Sequence, residues 1–500
     1  MKEKPRILIF VCAYEAQSTL EDVLNRIPNV IFNYDTEILV IDDSSKDKTF
    51  EIGVQYSESR NYPITVLYNA ENQGYGGNQK LGYSYAIKNH FDFVVLLHGD
   101  GQYAPEFIPA LIEPLLDNSA DAILGSRMLT KGAARKGGMP LYKFVGNKIL
   151  TKIQNLLLKT NFSEFHSGFR VYSVDVLSKI PFQYNSNDFH FDTEIIIQLV
   201  MGNFKIKELP IPTYYGNEIC RVDGIWYAKN VVMATLLSRF HKIHLFYDRK
   251  FDLCNDTNLF YDLKLGYKSS HTSALCEIKE GSRVLDIGCG PGNFARELQE
   301  RSCMVTGIDK YEPEHRKGFE DFYLWDETRD IFTHNISTYD LVLLLDIIEH
   351  FRKPEAFLDS LRKCAKNKYP KIIVTTGNIA FFIVRLQLLM GHFNYGKRGI
   401  LDITHTRLYT FKTLRKLFEQ CGYKIEKMQG IPAPFPKTIG LNLFSKILLL
   451  VNDLLIRISK GLFSYQIFMV ATPLPTVDAI LDNSLNISRI KAQGILSEVK

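Results

Sequence analysis

Short apolar runs alternate with helix-patterned segments in two separate stretches of this 500-residue chain. The first holds the runs Arg6–Val11, Glu37–Ile41, Ile64–Tyr68, Asp92–Leu97 and Asp121–Gly125. The second holds Arg283–Ile287, Met304–Ile308, Asp340–Leu345 and Lys371–Thr376, with a further strand-like run at Tyr465–Ala471. Between the first two runs, Ser18-Thr19-Leu20-Glu21 has a capping-box pattern, and Leu20, Val23, Leu24 and Ile27 follow at helical spacing. Strand–helix alternation of this kind predicts mostly parallel sheets covered by helices on both faces. The fold class is therefore α/β with two doubly wound domains. Ligands in such sheets sit beyond the carboxyl ends of the strands, so the chemistry is sought there.

Five hundred residues exceed what one hydrophobic core organises, which agrees with two domains. The reading places them at residues 1–250 and 255–475, with a loose tail at 476–500 that has few large apolar residues. The segment Ile225–Tyr247 reads as an amphipathic helix. A net charge of +5 is too small and too dispersed to imply a nucleic-acid partner. The eight cysteines form no C-x-x-C pair, which points away from zinc and disulfides and toward a reducing compartment, the cytoplasm. Residues 7–12 read as a strand, not as the core of a signal peptide. No apolar run reaches membrane-spanning length. Leu441–Phe463 and Val231–His244 are apolar with scattered basic residues, a pattern shared by core helices and by helices lying at a membrane surface. Peripheral placement at the cytoplasmic face of a membrane is thus an open expectation.

In the first half, polar groups close successive strands. Asp42-Asp43-Ser44-Ser45 follows the second, Gly74-Tyr75-Gly76-Gly77-Asn78 the third and His98-Gly99-Asp100-Gly101-Gln102 the fourth. A carboxylate at such a place can share Mg²⁺ or Mn²⁺ with a diphosphate. Singly these are ordinary turns and caps; in sequence they describe a nucleotide site. With Ala13-Tyr14-Glu15-Ala16, Gly125-Ser126-Arg127, Ser167-Gly168-Phe169-Arg170 and Phe191-Asp192-Thr193-Glu194, this ordered set resembles family 2 glycosyltransferases, the group of the dolichol-phosphate mannosyltransferases.

The resemblance implies a GT-A fold and a nucleotide-diphosphate sugar donor. It implies donor contacts from Ala13, Glu15, Asp42, Asp43 and Gly74, with Asp43 on the base. It implies a divalent metal on Asp100, and phosphate contacts from Arg127 and Arg170. The acceptor is a lipid phosphate or a glycan. A lipid phosphate needs no strong base; a sugar hydroxyl does, and Asp192 and Glu194 are the candidates. Two positions depart from the family pattern. His98 stands where the first acid of the D-x-D motif is expected, which leaves it as a candidate metal ligand of softer character. Ala16 replaces an acid, with Glu15 one place earlier.

In the second half, Val284-Leu285-Asp286-Ile287-Gly288-Cys289-Gly290-Pro291-Gly292 is a strand running into a glycine turn, and Asn293–Gln299 then starts a helix. Ile308-Asp309 puts an acid at the next strand end, where ribose hydroxyls are bound. A dinucleotide fingerprint would want glycine or alanine at position 293, which is Asn293. The pattern instead resembles class I S-adenosylmethionine-dependent methyltransferases. That resemblance implies Asp286, Gly288, Gly290 and Gly292 around the methionine portion and Asp309 on the ribose. Asp326 either approaches the adenine or is a solvated loop acid.

Asp346-Ile347-Ile348-Glu349-His350 closes the fourth strand, where it could bind metal, take a proton or serve a structural role. His405, with Asp402 nearby to orient it, is a second candidate base. Together the halves point to a bifunctional enzyme of cell-envelope polysaccharide assembly, adding a sugar and methylating a hydroxyl. The alternative is that one half is a degenerate binding module.

Overall fold

The computed structural model describes residues 4–214, 222–242, 246–253, 263–325, 332–365, 368–481 and 484. Contacts divide the chain into two compact units that meet in sequence between residues 258 and 259. Both are α/β, and each is built on a mixed seven-stranded sheet.

The first unit contains β1 (Arg6–Ala13), β2 (Asp35–Asp42), β3 (Ile64–Tyr68), β4 (Phe93–His98), β5 (Ala122–Ser126), β6 (Arg170–Ser173) and β7 (Ile206–Pro210). Their order across the sheet is β3-β2-β1-β4-β6-β5-β7. β6 runs antiparallel to both β4 and β5, while the other pairs are parallel. The strand interiors are apolar because both faces are covered. Ile7, Ile9, Val11, Val95 and Leu97 pack on one side, and Leu8, Phe10, Leu39, Val94 and Leu96 on the other.

The helix after β1 spans Leu20–Asn25 and buries Leu20, Val23 and Leu24, as their spacing predicts. The capping box does not form. Thr19 is the N-cap without a side-chain cap bond, and its hydroxyl donates instead to the Gly99 carbonyl at 2.7 Å. That bond ties the helix start to the loop after β4. The segment read as Ile225–Tyr247 is helical over Gly224–Lys242.

The second unit contains β8 (Arg283–Ile287), β9 (Met304–Asp309), β10 (Asp321–Leu324), β11 (Leu341–Leu345), β12 (Lys371–Gly377), β13 (Tyr423–Ile431) and β14 (Gln466–Pro473). Their order is β10-β9-β8-β11-β12-β14-β13, and β14 is antiparallel to both neighbours. Most of the proposed tail, from residue 485 on, lies outside the described residues. Among the described residues no helix is long and apolar enough to cross a membrane.

Candidate functional site

In the first unit a cavity of about 1700 Å³ opens at the carboxyl ends of β1, β2 and β4. Ala13, Glu15, Asp43, Gly74, His98 and Asp100 line it, together with Arg127 and Asp192. Asp42, Arg170 and Glu194 are not among its lining residues.

Local bonding explains the division. Asp42 is fully buried and its Oδ1 accepts from Ser45 N and Ser45 Oγ, at 3.1 and 2.5 Å. Ser45 Oγ in turn accepts from Glu15 N at 2.8 Å, so Asp42 shapes the loop that carries Glu15. Asp43 Oδ1 accepts from Asn69 Nδ2 and Gln73 N, both at 2.8 Å, which binds the glycine-rich turn to β2. Gly74 has φ +76°, and a Cβ there would stand 2.7 Å from the Asn187 carbonyl oxygen. Its glycine character therefore serves contact with the 186–188 segment. Asp100 is exposed, and its Oδ1 accepts from Gln102 N at 3.0 Å.

His98 is held by two tyrosines. Its ring lies edge-on to Tyr75 and Tyr103, and its Nε2 is 3.2 Å from Tyr75 Oη. Tyr75 donates to Asp192 Oδ2 at 2.8 Å. The tyrosine oxygen then accepts from His98, which places the imidazole proton on Nε2 and the lone pair on Nδ1. Burial pushes the His98 pKa down, outweighing the pull of Asp100 and Asp192, so the ring is neutral near pH 7. Asp192 also accepts from Gln79 Nε2 at 3.1 Å and lies 3.6 Å from the Arg170 guanidinium.

Besides Asp42, two of the expected site residues lie off the cavity wall. Arg170 is 1% exposed and donates to the carbonyls of Ser167, Asp192 and Phe165 at 2.8–2.9 Å. Its guanidinium fastens these segments together. Glu194 is likewise 1% exposed; Lys250 Nζ donates to it at 2.7 Å and Ser186 N at 2.6 Å. It is not among the residues that line the cavity. Arg127 does line the cavity, but it forms a buried ion pair with Glu164 and donates to the His166 carbonyl at 3.0 Å. Burial raises the Glu164 pKa, but Arg127 and the hydrogen bonds to it lower it by more, and the net shift is downward.

In the second unit the turn after β8 carries three left-handed glycines, Gly288, Gly290 and Gly292, with φ of +79°, +55° and +88°. They do different jobs. A Cβ on Gly288 would meet Ile347 at 2.8 Å, and one on Gly292 would meet the Phe319 ring at 2.8 Å. A Cβ on Gly290 would find nothing within 4 Å, so this is the glycine that leaves room for a ligand. Asp309 Oδ2 accepts from Gly290 N at 2.8 Å and steadies the turn. Asp286 is 3% exposed, and burial, with Asp309 beside it, pushes its pKa up to about 7. Asp326 lies outside the described residues. Trp325, at the end of β10, has a buried Nε1 without a hydrogen-bond partner among the described residues. The open cradle at Gly290 and this orphaned donor suit a nucleoside with an amino-acid arm.

Asp346 takes a left-handed φ of +53° at the end of β11. It accepts from Thr375 Oγ1 at 2.7 Å and from Gln466 Nε2 at 2.8 and 2.9 Å, with Lys264 Nζ at 3.6 Å. Burial raises its pKa, but Lys264 and these donors lower it by more. Glu349 is 3% exposed, and burial and Asp346 push its pKa up to about 8. Among the described residues no group of three His, Cys, Asp or Glu side chains is placed to hold a metal.

The His350 and His405 rings meet edge-to-face at 4.9 Å. His405 is oriented by Ile400, whose carbonyl lies 3.0 Å from Nδ1. Asp402 does not orient that ring. Its Oδ1 accepts from Thr404 N and Oγ1, closing its own turn.

Comparison with known proteins agrees with this division. The family model described as "Glycosyl transferase family 2" matches residues 8–181. The UDP-N-acetylglucosamine–dolichyl-phosphate N-acetylglucosaminyltransferase of Methanococcus voltae is 30% identical over 220 residues, 42% of this chain and 86% of that protein. This chain belongs to glycosyl transferase family 2. The polyprenol monophosphomannose synthase of Mycolicibacterium smegmatis is 24% identical over 207 residues, 41% of this chain and 76% of that protein. A solved glucosyl-3-phosphoglycerate synthase from Mycobacterium tuberculosis superposes with a TM-score of 0.34 at 18% identity, over 47% of this chain and 78% of that one.

The model described as "Methyltransferase domain" matches residues 261–428. The chain thus joins a GT-A glycosyltransferase unit to an S-adenosylmethionine-dependent methyltransferase unit. In the family 2 unit, sequence reasoning missed Glu164, the buried partner of Arg127, and Tyr75 as the link between His98 and Asp192. In the methyltransferase unit it missed Trp325 and Lys264. None of these carries a motif of its own; only the fold brings them to the sites.

Proposed function

We propose that the first unit transfers a sugar from a nucleotide-diphosphate donor to a lipid phosphate, and that the second methylates a hydroxyl of a lipid-linked glycan. The working units are residues 1–250 and 255–475. The lipid-phosphate acceptor is supported by the state of Asp192. It is the lone carboxylate on the cavity wall among the two candidate bases, and Tyr75, Gln79 and Arg170 already engage it. Its two oxygens already accept from Tyr75 and Gln79, with the Arg170 guanidinium 3.6 Å away, so they are occupied where a sugar hydroxyl would need them, whereas a phosphate oxygen attacks as an anion and needs no base. The M. voltae and M. smegmatis relatives, named for dolichyl-phosphate and polyprenol substrates, favour the same acceptor.

Asp100 presents one carboxylate to the cavity and the protein supplies no closed cage among the described residues. That donor set fits Mg²⁺ or Mn²⁺ shared with a diphosphate, a hard cation that takes most of its oxygens from substrate and water. The metal would offset charge on the departing nucleoside diphosphate. Asp43 fits the base-binding edge, and neutral His98 borders the metal position.

In the second unit S-adenosylmethionine supplies the methyl group when bound. Gly290 leaves room for it, and in this reading Asp286 serves its methionine portion and Asp309 its ribose. His405, its Nδ1 anchored on Ile400, has Nε2 as the nitrogen for taking the proton of an acceptor hydroxyl.

Calorimetric titration with UDP- and GDP-sugars plus Mn²⁺, on the wild type and on Asp100→Ala, tests the first half. Metal-dependent binding lost in the variant is expected. Absence of nucleotide-sugar binding, with adenosylmethionine still bound, would leave methylation as the surviving activity.

A further inference from the structure

The helix Leu443–Ile458 is apolar on its outward as well as its inward face, unlike an ordinary surface helix of a soluble domain. Its inward face buries Ile456 with Ser445 and Asn452, and Asn452 is locked to Ala433 N and the Phe463 carbonyl at 2.9 Å each. Its outward face carries Leu443, Ile447, Leu450, Val451, Leu454 and Ile458, at the spacing of one helical stripe. Leu450 is 72% exposed and Leu454 60%.

A second apolar element lies beside it. The helix Phe382–Leu389 and the turn after it expose Leu386, Leu388, Leu389, Met390 and Phe393, with Leu389 at 84%. The two regions are joined. The Phe382 and Phe463 rings lie tilted against each other with centroids 5.8 Å apart, and Asn378 Nδ2 donates to the carbonyls of Gly461 and Ser464 at 3.0 and 2.8 Å. Contiguous exposed apolar surface on this scale marks an interaction site.

Charge identifies the occupant. Segments 378–398 and 432–464 contain seven Lys and Arg residues and a single acid, Asp453. That acid is itself engaged by Lys268 and by Arg457. Leucines facing out among basic residues, on a helix of 16 residues, fit the interface of an anionic bilayer. A neutral protein partner would have no use for the basic excess.

Position in the fold gives the surface a purpose. Phe382–Leu389 follows β12 directly, and Leu443–Ile458 leads into β14, whose first residue, Gln466, donates to Asp346. Both apolar elements therefore border the strand ends where adenosylmethionine and the methyl acceptor are placed.

We propose that Phe382–Leu389 and Leu443–Ile458 seat the methyltransferase unit on an anionic lipid surface, so that its methyl acceptor is membrane-borne. The second clause rests on the methyltransferase reading above; the first does not.

Hydrogen–deuterium exchange on the full chain resolves these segments separately from any contact made by the first unit. Vesicles of phosphatidylglycerol with phosphatidylcholine should slow exchange at 382–398 and 443–458, and phosphatidylcholine alone should not. The triple substitution Leu389→Ser, Leu450→Ser, Leu454→Ser should abolish that protection and raise the lipid needed for half-protection by roughly tenfold or more. Adenosylmethionine binding, measured by calorimetry, should be unchanged and shows that the variant is folded. Unchanged exchange with anionic vesicles would overturn the proposal. So would protection that grows with protein concentration in the absence of lipid, which would assign the face to a second copy of the chain. Vesicle protection in a protein that binds no adenosylmethionine would support the surface and overturn the membrane-borne acceptor.

Discussion

Asp286 offers a quantitative test of the adenosylmethionine site. The carboxyl is 3% exposed, and burial, reinforced by Asp309, lifts its pKa from an ordinary 3.8 to about 7. The folded unit therefore holds this proton more tightly than the unfolded chain does. The resulting stability is fully present below about pH 3.8 and is lost as pH rises to about 7. A gap of about three units corresponds to about 4 kcal/mol in all, of which about 2 to 3 kcal/mol falls between pH 5 and pH 8.

Asp286→Asn removes the titration while keeping the shape. An amide with unmet hydrogen bonds carries its own cost, about 1–3 kcal/mol, but that cost does not vary with pH. The observable is thus the change with pH in the stability difference between variant and wild type. In a Trp226→Phe background Trp325 is the single tryptophan and reports on the second unit. Urea unfolding followed by its fluorescence at pH 5, 6, 7 and 8 should show the variant gaining about 2 to 3 kcal/mol on the wild type across that range. A difference that stays flat within about 0.5 kcal/mol would refute the argument, because a carboxyl that ionises normally has no such linkage.

Other positions give simpler tests. Arg170→Met leaves Asp192 buried beside no cation and should destabilise the first unit by about 3–5 kcal/mol in urea unfolding; Arg170→Lys should not restore it, because three carbonyls need the guanidinium. Gly290→Ala should fold but lose adenosylmethionine binding by calorimetry, while Gly292→Ala, facing the Phe319 ring, should lower the melting temperature. Glu349, with its pKa raised from 4.5 to about 8, obeys the same linkage, so Glu349→Gln should gain on the wild type as pH rises from 5 to 8 and the difference should level off above that; urea midpoints at pH 5, 8 and 9 check this.

The strands at the centre of each sheet were legible because parallel strands covered on both faces must be apolar throughout. The strands that escaped are short or lie in the antiparallel half of a sheet. β6 (Arg170–Ser173) begins with an arginine, which pattern reading assigns to a surface, yet here it is buried and bonded to carbonyls. β13 (Tyr423–Ile431) alternates buried and exposed residues with a register shift between Ile425 and Lys427, which blurs its period. Among candidate residues, strand-end groups such as Asp43 and Asp100, which line the cavity, and Gly290, which faces open space, stand where position alone puts them. Asp192 and Glu194 were not separable, because they share one buried helix, Phe191–Met201, and only packing decides which of them meets the cavity. The Arg127–Glu164 pair joins positions 37 residues apart, and nothing local announces it.

Both sheets open their sites at the same topological feature. Strand order reverses between β1 and β4 in the first unit and between β8 and β11 in the second, so successive helices leave on opposite faces and a crevice forms there. Ala13 and His98 flank one crevice, and Gly288 and Asp346 flank the other. Asp346 is the telling member. A non-glycine residue at φ +53° carries backbone strain of about 1 to 2 kcal/mol. That conformation persists because Thr375, Gln466 and Lys264 hold its carboxylate from three sides. Three side chains from β12, β14 and the segment before β8 converge on a residue that a glycine would accommodate without strain. The carboxylate, and not the turn, is what this position keeps.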